Sequence, residues 1–329
     1  MFKSVDHVQE ALIGQQYICD KNIATVVFLA EQLEKPVLIE GPAGVGKTEL
    51  AKVVSSVTKR RMIRLQCYEG LDEAKALYEW EYSKQLLYTQ ILKDRFTSLM
   101  DSAQTIREAA ELVGKEDSVF FSDNFLVARP LLHAITSDDA PLLLIDEVDK
   151  SDPEFEAFLL EVLSDYQVTV PEIGTIVATH KPLVFLTSNN AREMSDALKR
   201  RCIHLYIDYP TEELEARILK TKVPDAAEDL IDDLVQMMQR LRQLDLKKTP
   251  SISETLDWAR ALLALNATVL DEDLVNQTFN VILKYEGDVR KAQGELGKLL
   301  EKKTAEAKVE APSQAEAPTP ATVKKGALH

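Results

Sequence analysis

The eight residues from Gly41 to Thr48 constrain this chain more than any other segment, because they read Gly-Pro-Ala-Gly-Val-Gly-Lys-Thr. The glycines and the Lys-Thr pair have the spacing of a phosphate-binding loop. An apolar run at 36–40 precedes the loop, and a helix-forming run at 49–54 follows it. The alternative, an ordinary glycine-rich turn before a helix, rarely has Gly-Lys-Thr at this offset after an apolar strand. The segment therefore predicts a strand, a phosphate site and a helix in that order.

Each part of this loop has its own expected task. Glycine lets the backbone approach phosphate closely, and the N–H groups of the turn and of the following helix supply partial positive charge. Lys47 is expected to reach the β- and γ-phosphates of ATP, and the Thr48 hydroxyl to hold Mg²⁺. The expected nucleotide-binding residues are Gly41, Pro42, Ala43, Gly44, Val45, Gly46, Lys47 and Thr48.

A second apolar run, 142–145, ends in two carboxylates, Asp146 and Glu147. Ligands of open α/β sheets bind at the carboxyl ends of the strands, so we expect both carboxylates at the phosphate site. Asp146 is expected to hold Mg²⁺ together with Thr48. Glu147 is expected to polarise the water that attacks the γ-phosphate, which favours hydrolysis over transfer to a small molecule. A solvated acidic turn is the alternative for this pair taken alone.

A third apolar run, 183–188, ends at Asn189. The amide of Asn189 is expected to contact the γ-phosphate or to orient the attacking water. Taken alone, Asn189-Asn190 would be interpreted as a turn, because turns are rich in Asn. The phosphate loop and the carboxylate pair favour the catalytic interpretation.

Composition narrows the class of protein. The chain has 329 residues, of which 45% are hydrophobic and 28% charged, as in globular proteins. Its formal net charge of −15 argues against a nucleic-acid partner, because the phosphates of nucleic acids bind protein surfaces with concentrated positive charge. No apolar run approaches membrane-spanning length and the first residues lack the pattern of a signal peptide, so we expect a cytoplasmic protein. The three cysteines lack zinc-ligand spacing.

The order of the patterns predicts two domains. An α/β domain over 1–209 contains the three strands and the phosphate loop, and a helical domain over 210–300 follows, because strand patterns stop near residue 209. The segment 71–112 has the composition of helix. A hairpin is expected at about 168–180. The residues of 301–329 are almost entirely Ala, Glu, Lys, Pro and Thr, which predicts a disordered tail.

Three segments together resemble AAA+ ATPases, and more closely the MoxR-type branch: Gly41–Thr48, the Leu-Ile-Asp-Glu-Val-Asp-Lys of 144–150, and the Thr-Ser-Asn-Asn of 187–190. The resemblance covers about residues 10–300. The segment 64–72 looks like the subgroup linked to maturation of carbon monoxide dehydrogenase and other molybdenum enzymes. The implied fold is a P-loop domain with a parallel sheet, followed by a smaller, all-helical lid domain.

The resemblance also implies an assembly. It implies a ring, usually a hexamer, that binds ATP between subunits and remodels or matures a client, here a metalloenzyme, with a von Willebrand factor A domain protein as partner. Arg201 matches the arginine finger that reaches a neighbour's γ-phosphate, with Arg200 as the second choice. Residues 68–80 correspond to the family's helix insert and 168–180 to its hairpin insert, both facing the pore or the client.

The chain departs from the MoxR pattern at one position. Ser253 or Glu254 occupies the place of the sensing arginine of the helical domain, and Arg260 lies further along. Three other functions remain open at this stage: a metal-chelatase motor, a nucleic-acid motor, and a nucleotide-switched binding module. The acidic charge argues against the nucleic-acid motor, and Glu147 and Arg201 argue against the module.

Overall fold

The computed structural model describes residues 2–91, 105, 125–170 and 174–300, and its strands form one large sheet and two small ones. The strands are β1 (Val37–Glu40), β2 (Met62–Gln66), β3 (Tyr78–Trp80), β4 (Leu126–Ala128), β5 (Leu142–Asp146), β6 (Gln167–Val170), β7 (Gly174–Val177), β8 (Leu183–Ser188) and β9 (Ile203–Tyr206). The large sheet has the order β2-β5-β8-β1-β9 and is parallel throughout. The expected α/β class is confirmed.

Helices cover both faces of this sheet, which explains why its strands are continuous apolar runs. Leu143 and Ile145 of β5 belong to one buried core, and the alternating Leu142 and Leu144 belong to the other. Among the described residues, the α-helices up to β9 are α1 (Val5–Gly14), α2 (Lys21–Leu33), α3 (Lys47–Thr58), α4 (Glu73–Leu77), α5 (Tyr82–Ile91), α6 (Pro130–Ile135), α7 (Pro153–Asp165) and α8 (Asp196–Arg201).

The described residues after β9 form helices only, as expected. They are α9 (Glu212–Lys222), α10 (Glu228–Leu241), α11 (Ile252–Ala264), α12 (Glu272–Ile282), α13 (Glu286–Gly294) and α14 (Leu296–Leu300). Their apolar faces form a third core, which runs from Leu219 to Leu299 and is separate from the two cores of the sheet. The exact boundaries between domains stay a prediction, and 301–329 lies outside the described residues.

The segment 71–112 is expected to be mostly helical, and its described part contains α4 and α5 but also one short strand. Tyr78–Trp80 forms β3 and pairs antiparallel with β4, about fifty residues further along the chain. Strand formation depends on such a partner more than on local propensity, so a local composition rich in Glu, Lys and Leu did not reveal it. The rest of the prediction, from residue 92 to 112, lies outside the described residues except for Thr105.

The hairpin expected near 168–180 is present as β6 and β7, which pair antiparallel. Its connecting residues, 171–173, lie outside the described residues. That this hairpin faces a pore or a client stays a prediction. Within the described ranges, no helix combines the length and the apolar character that crossing a bilayer requires.

Candidate nucleotide site

The loop between β1 and α3 depends on its glycines. Gly41, Gly44 and Gly46 all have positive φ, at 145°, 77° and 98°. A Cβ atom on Gly41 would lie 1.9 Å from the backbone oxygen of Ile207. The loop therefore passes so close to the chain that follows β9 that only glycine fits at position 41.

We expect Gly41→Ala to lower the free energy of unfolding by about 2–5 kcal/mol, because a strained φ and a backbone clash add together. Urea unfolding measures this difference. Gly70→Ala is the matched control, since Gly70 also has a positive φ of 78° but no atom within 4 Å of the added Cβ. It should cost only about 1–2 kcal/mol. Equal losses in the two variants would contradict the close contact at Ile207.

Lys47 is the first residue of α3 and is almost fully buried. Its ammonium group donates to the backbone oxygens of Gly41 at 2.8 Å and Pro42 at 2.6 Å, and to Oδ1 of Asn189 at 2.8 Å. Burial lowers the pKa of Lys47 to about 8, against the opposing effect of the carboxylates of Asp149, Asp146 and Glu147. The side chain thus remains largely protonated at pH 7 and lies inside the loop.

Asp146 ends β5 with its side chain only 3% exposed, and four donor atoms contact its carboxylate. Oδ1 accepts hydrogen bonds from the hydroxyls of Thr48 at 3.0 Å and Thr187 at 2.5 Å. Oδ2 accepts from Arg64 Nε at 3.0 Å and Nη2 at 2.5 Å. The two residues expected to hold Mg²⁺ are therefore neighbours, and their oxygen atoms are of the kind that Mg²⁺ prefers.

Glu147 follows Asp146 in a left-handed conformation, with φ at 56°, which is uncommon outside glycine. Its backbone N–H donates to the Thr187 hydroxyl at 2.9 Å. One carboxylate oxygen accepts from Lys150 at 2.6 Å and Gln66 at 2.9 Å, and the other accepts from Asn189 at 3.3 Å. This turn directs the carboxylate toward the carboxyl ends of the strands, where the loop lies.

Asn189 joins the two halves of the site. Its Oδ1 accepts from Lys47, while its Nδ2 donates to Glu147. The structure thus brings together all five residues expected beside the phosphates and the metal. They are Lys47, Thr48, Asp146, Glu147 and Asn189. Their contacts agree with the expected site, while their roles stay predictions.

Arg201 lies elsewhere. It ends α8 directly before β9, and the parallel register pairs Ile203 with Val37, the first residue of β1. The phosphate loop follows the last residue of β1, so Arg201 lies at the opposite edge of the sheet. Its guanidinium donates to the Ser164 hydroxyl at 2.5 Å and to the Ala197 carbonyl oxygen at 3.0 Å. The exposed Arg201 is thus remote from the phosphate loop of this chain.

Three polar residues around the carboxylates were missed by the sequence analysis: Arg64, Gln66 and Thr187. Arg64 and Gln66 alternate along β2, and Thr187 lies on β8. Both strands flank β5. The sequence does show polar residues at alternating positions near the carboxyl ends of apolar strands. This pattern identifies the neighbours of Asp146 only when the order of the strands is known.

A cavity of about 510 Å³ opens beside the phosphate loop. The loop between α1 and α2, the chain after β9, and helices α9 and α11 enclose it. Its apolar wall suits a nucleobase and its size suits a small-molecule ligand. The side chains of this wall include Tyr17, Ile18, Ile23, Tyr209, Leu214, Ile218 and Leu256. Arg260 also lines the cavity and pairs with Asp257 at 3.4 Å. The sequence analysis did not predict this cavity, because its residues come from distant segments.

The start of α11 contacts the phosphate loop directly. The Ser253 hydroxyl donates to the backbone oxygen of Gly44 at 3.0 Å. A Cβ atom on Gly44 would lie 2.1 Å from the hydroxyl oxygen of Ser251, the residue that caps α11. Serines therefore contact the loop from the segment where the resemblance to MoxR-type proteins implies a sensing arginine.

Comparison with known proteins agrees with this fold. Residues 36–202 match the family model described as AAA domain (dynein-related subfamily), which is 167 of the 329 residues. An uncharacterized protein of Staphylococcus epidermidis is 29% identical over 252 residues, covering 73% of this chain and 80% of its own. An uncharacterized protein of Staphylococcus aureus strain USA300 is 27% identical over 240 residues, covering 71% and 77%.

Among solved structures, the Thermotoga maritima RuvB Holliday junction branch migration motor is similar to this chain. Its TM-score is 0.44 and its sequence identity 17%, and the match covers 85% of this chain and 72% of that one. The TM-score and the sequence identity are both too low to support a conclusion about the function of this chain.

Proposed function

Because the chain belongs to the AAA domain family, in its dynein-related subfamily, we propose that it hydrolyses ATP with Mg²⁺ in a ring that remodels or matures a client protein. The observation that carries the proposal is the convergence of Lys47, Thr48, Asp146, Glu147 and Asn189 at one edge of the sheet. Membership of this family implies ATP-driven activity. The hexameric ring, the client protein and the partner protein go beyond what family membership implies and are the more specific parts of the proposal.

Each side chain of the site has a task in hydrolysis. Lys47 and the backbone N–H groups of the loop neutralise phosphate oxygens, and the adjoining cavity accepts the nucleobase. Thr48 and Asp146 would hold a magnesium ion, which would supply positive charge to the phosphate oxygens. Glu147 accepts a proton from the attacking water. Asn189 contacts both Lys47 and Glu147, and thereby fixes the position of the carboxylate base relative to the ammonium group that binds phosphate.

The position of Arg201 supports a ring. A stabilising cation at the γ-phosphate accelerates such reactions, but Arg201 lies at the edge of the sheet opposite to its own phosphate loop. It serves a phosphate only if that phosphate is bound to a neighbouring subunit. A head-to-tail arrangement of this kind closes into a ring when the rotations between neighbouring subunits add up to a full turn, and we propose a hexamer.

We expect Arg201→Ala and Lys47→Ala each to be inactive alone and to regain hydrolysis when mixed. Arg201→Ala should lower kcat about 10³-fold, the low end of the range for such residues. In a random mixture, roughly a quarter of the head-to-tail interfaces combine an intact loop with an intact arginine. Steady-state hydrolysis of the mixture measures the recovery. Arg200→Ala tests the second choice for the finger, an exposed neighbour: it should retain the native rate, and a loss there but not in Arg201→Ala would assign the finger to Arg200. A mixture with no recovery, together with a monomer in light scattering, would contradict the ring.

The finer part of the proposal concerns the client. The segment from Arg64 to Asp72 resembles MoxR-type ATPases linked to the maturation of molybdenum enzymes, and this resemblance supports a metalloenzyme client and a von Willebrand factor A domain partner. The test is reconstitution of an immature client with this chain, its partner and ATP. Activation of the client by the native chain but not by Glu147→Gln supports maturation. Equal activation by both would exclude a need for hydrolysis.

A further inference from the structure

Asp149 contacts the segment that carries Asn189, although it lies forty residues earlier in the chain. It belongs to the short 3-10 turn Val148–Lys150 after β5 and is only 4% exposed. One carboxylate oxygen, Oδ2, accepts the backbone N–H of Asn189 at 3.1 Å and that of Ala191 at 2.9 Å. A single oxygen atom thus accepts hydrogen bonds from two backbone N–H groups, two residues apart, in the loop after β8.

The other carboxylate oxygen of Asp149 is unusual. It is buried and has no hydrogen-bond partner among the described residues. A buried carboxylate oxygen without a partner costs free energy. Packing alone gives no reason to place a charged group here. The two backbone contacts require an acceptor oxygen at this position, and the nearby ammonium group of Lys47 favours a charged one.

The held segment determines where the Asn189 side chain lies. That side chain accepts from Lys47 and donates to Glu147, so it needs a fixed backbone. Asn190, between the two held amides, has a positive φ of 60°, and its N–H donates to the Ser188 hydroxyl at 3.1 Å. A segment with this strained residue needs external contacts to keep one conformation.

We propose that Asp149 is a positioning residue of the hydrolytic site, which fixes the 189–191 segment and thereby aligns Asn189 between Lys47 and Glu147. This inference rests on the proposed ATP hydrolysis. Asp149 itself acts through Asn189. Its loss should therefore lower kcat and leave the affinity for nucleotide nearly unchanged, since the phosphate loop and the cavity are built from other segments.

The test compares three variants of the full chain. Asp149→Ala removes both contacts, whereas Asp149→Asn keeps an acceptor oxygen for the two amides. Asp152→Ala is the matched control, because Asp152 is a nearby aspartate whose side chain makes no capping hydrogen bond to α7. We expect Asp149→Ala to lower kcat about 10- to 100-fold, as a small misplacement of an aligned group does. Asp149→Asn and Asp152→Ala should stay within about threefold of the native rate.

Two further measurements separate this proposal from the function on which it rests. Binding of a fluorescent ATP analogue should be equal in all three variants. Amide hydrogen exchange of peptides covering 189–191 should be faster in Asp149→Ala only, whether or not the protein hydrolyses ATP. Unchanged exchange in Asp149→Ala would overturn the proposal, and so would a kcat of Asp149→Asn as low as that of Asp149→Ala. If the native chain hydrolyses no ATP, the proposed function fails and the exchange result still decides the role of Asp149.

Discussion

Replacing Lys47 by alanine is expected to weaken ATP binding about 10- to 100-fold, because a charged hydrogen bond to phosphate contributes about 1.5–3 kcal/mol. The ammonium group lies within 2.8 Å of two loop carbonyl oxygens and of Asn189, at the centre of the polar network. No other lysine among the described residues has this position. Isothermal titration calorimetry with ATP and Mg²⁺ measures the loss.

The fold should survive this change. Lys47 donates to two loop carbonyl oxygens and to Asn189, all of them outside the strands of the sheet, and each such hydrogen bond contributes about 1 kcal/mol to stability. Lys52→Ala is the matched control, since Lys52 lies on the same helix, is exposed, and pairs only weakly with Glu49 at 3.5 Å. Native affinity in Lys47→Ala, or an equal loss in Lys52→Ala, would show that the loop is not the phosphate site.

The second large effect is expected at Glu147. Glu147→Gln should retain ATP and lose about 10²- to 10⁴-fold in turnover, because an amide keeps the shape of the carboxylate but does not accept a proton from water. The neighbouring contacts to Lys150 and Gln66 keep the replaced side chain near its native place. Single-turnover assays with radiolabelled ATP measure hydrolysis, and filter binding measures retention.

Glu154→Gln serves as the matched control for this result, because Glu154 is an exposed glutamate in the first turn of α7. It should hydrolyse ATP at the native rate. Turnover by Glu147→Gln at the native rate would mean that another group is the base. Loss of ATP binding in the same variant would mean instead that Glu147 holds the nucleotide.

The sequence was sufficient wherever a local pattern has a single structural solution. The glycine spacing around Lys47, the apolar run before Asp146 and that before Asn189 predict a loop and two strand ends, and parallel strands bring their carboxyl ends together. The five expected contact residues meet for that reason. These predictions needed no knowledge of the strand order.

The sequence was insufficient wherever a feature depends on segments that meet only in the folded chain. The pairing of β3 with β4, the cavity beside the loop and the contact of Arg64 with Asp146 are of this kind. Asp149 is the clearest case. Its position within an acidic turn is visible in the sequence, but its contacts with the amides of Asn189 and Ala191 depend on the packing of β5 against β8.

The hydrogen bond between Ser253 and Gly44 connects the first turn of α11 to the phosphate loop, so a shift of the loop tilts the whole helix. The helix has 13 residues and is thus about 20 Å long. A tilt of about 5° at the loop moves its far end by roughly 2 Å. One neutral hydrogen bond contributes only about 1 kcal/mol, so breaking this contact costs little free energy. Because the helical part has a core of its own, we expect it to follow α11 as one unit when the loop moves.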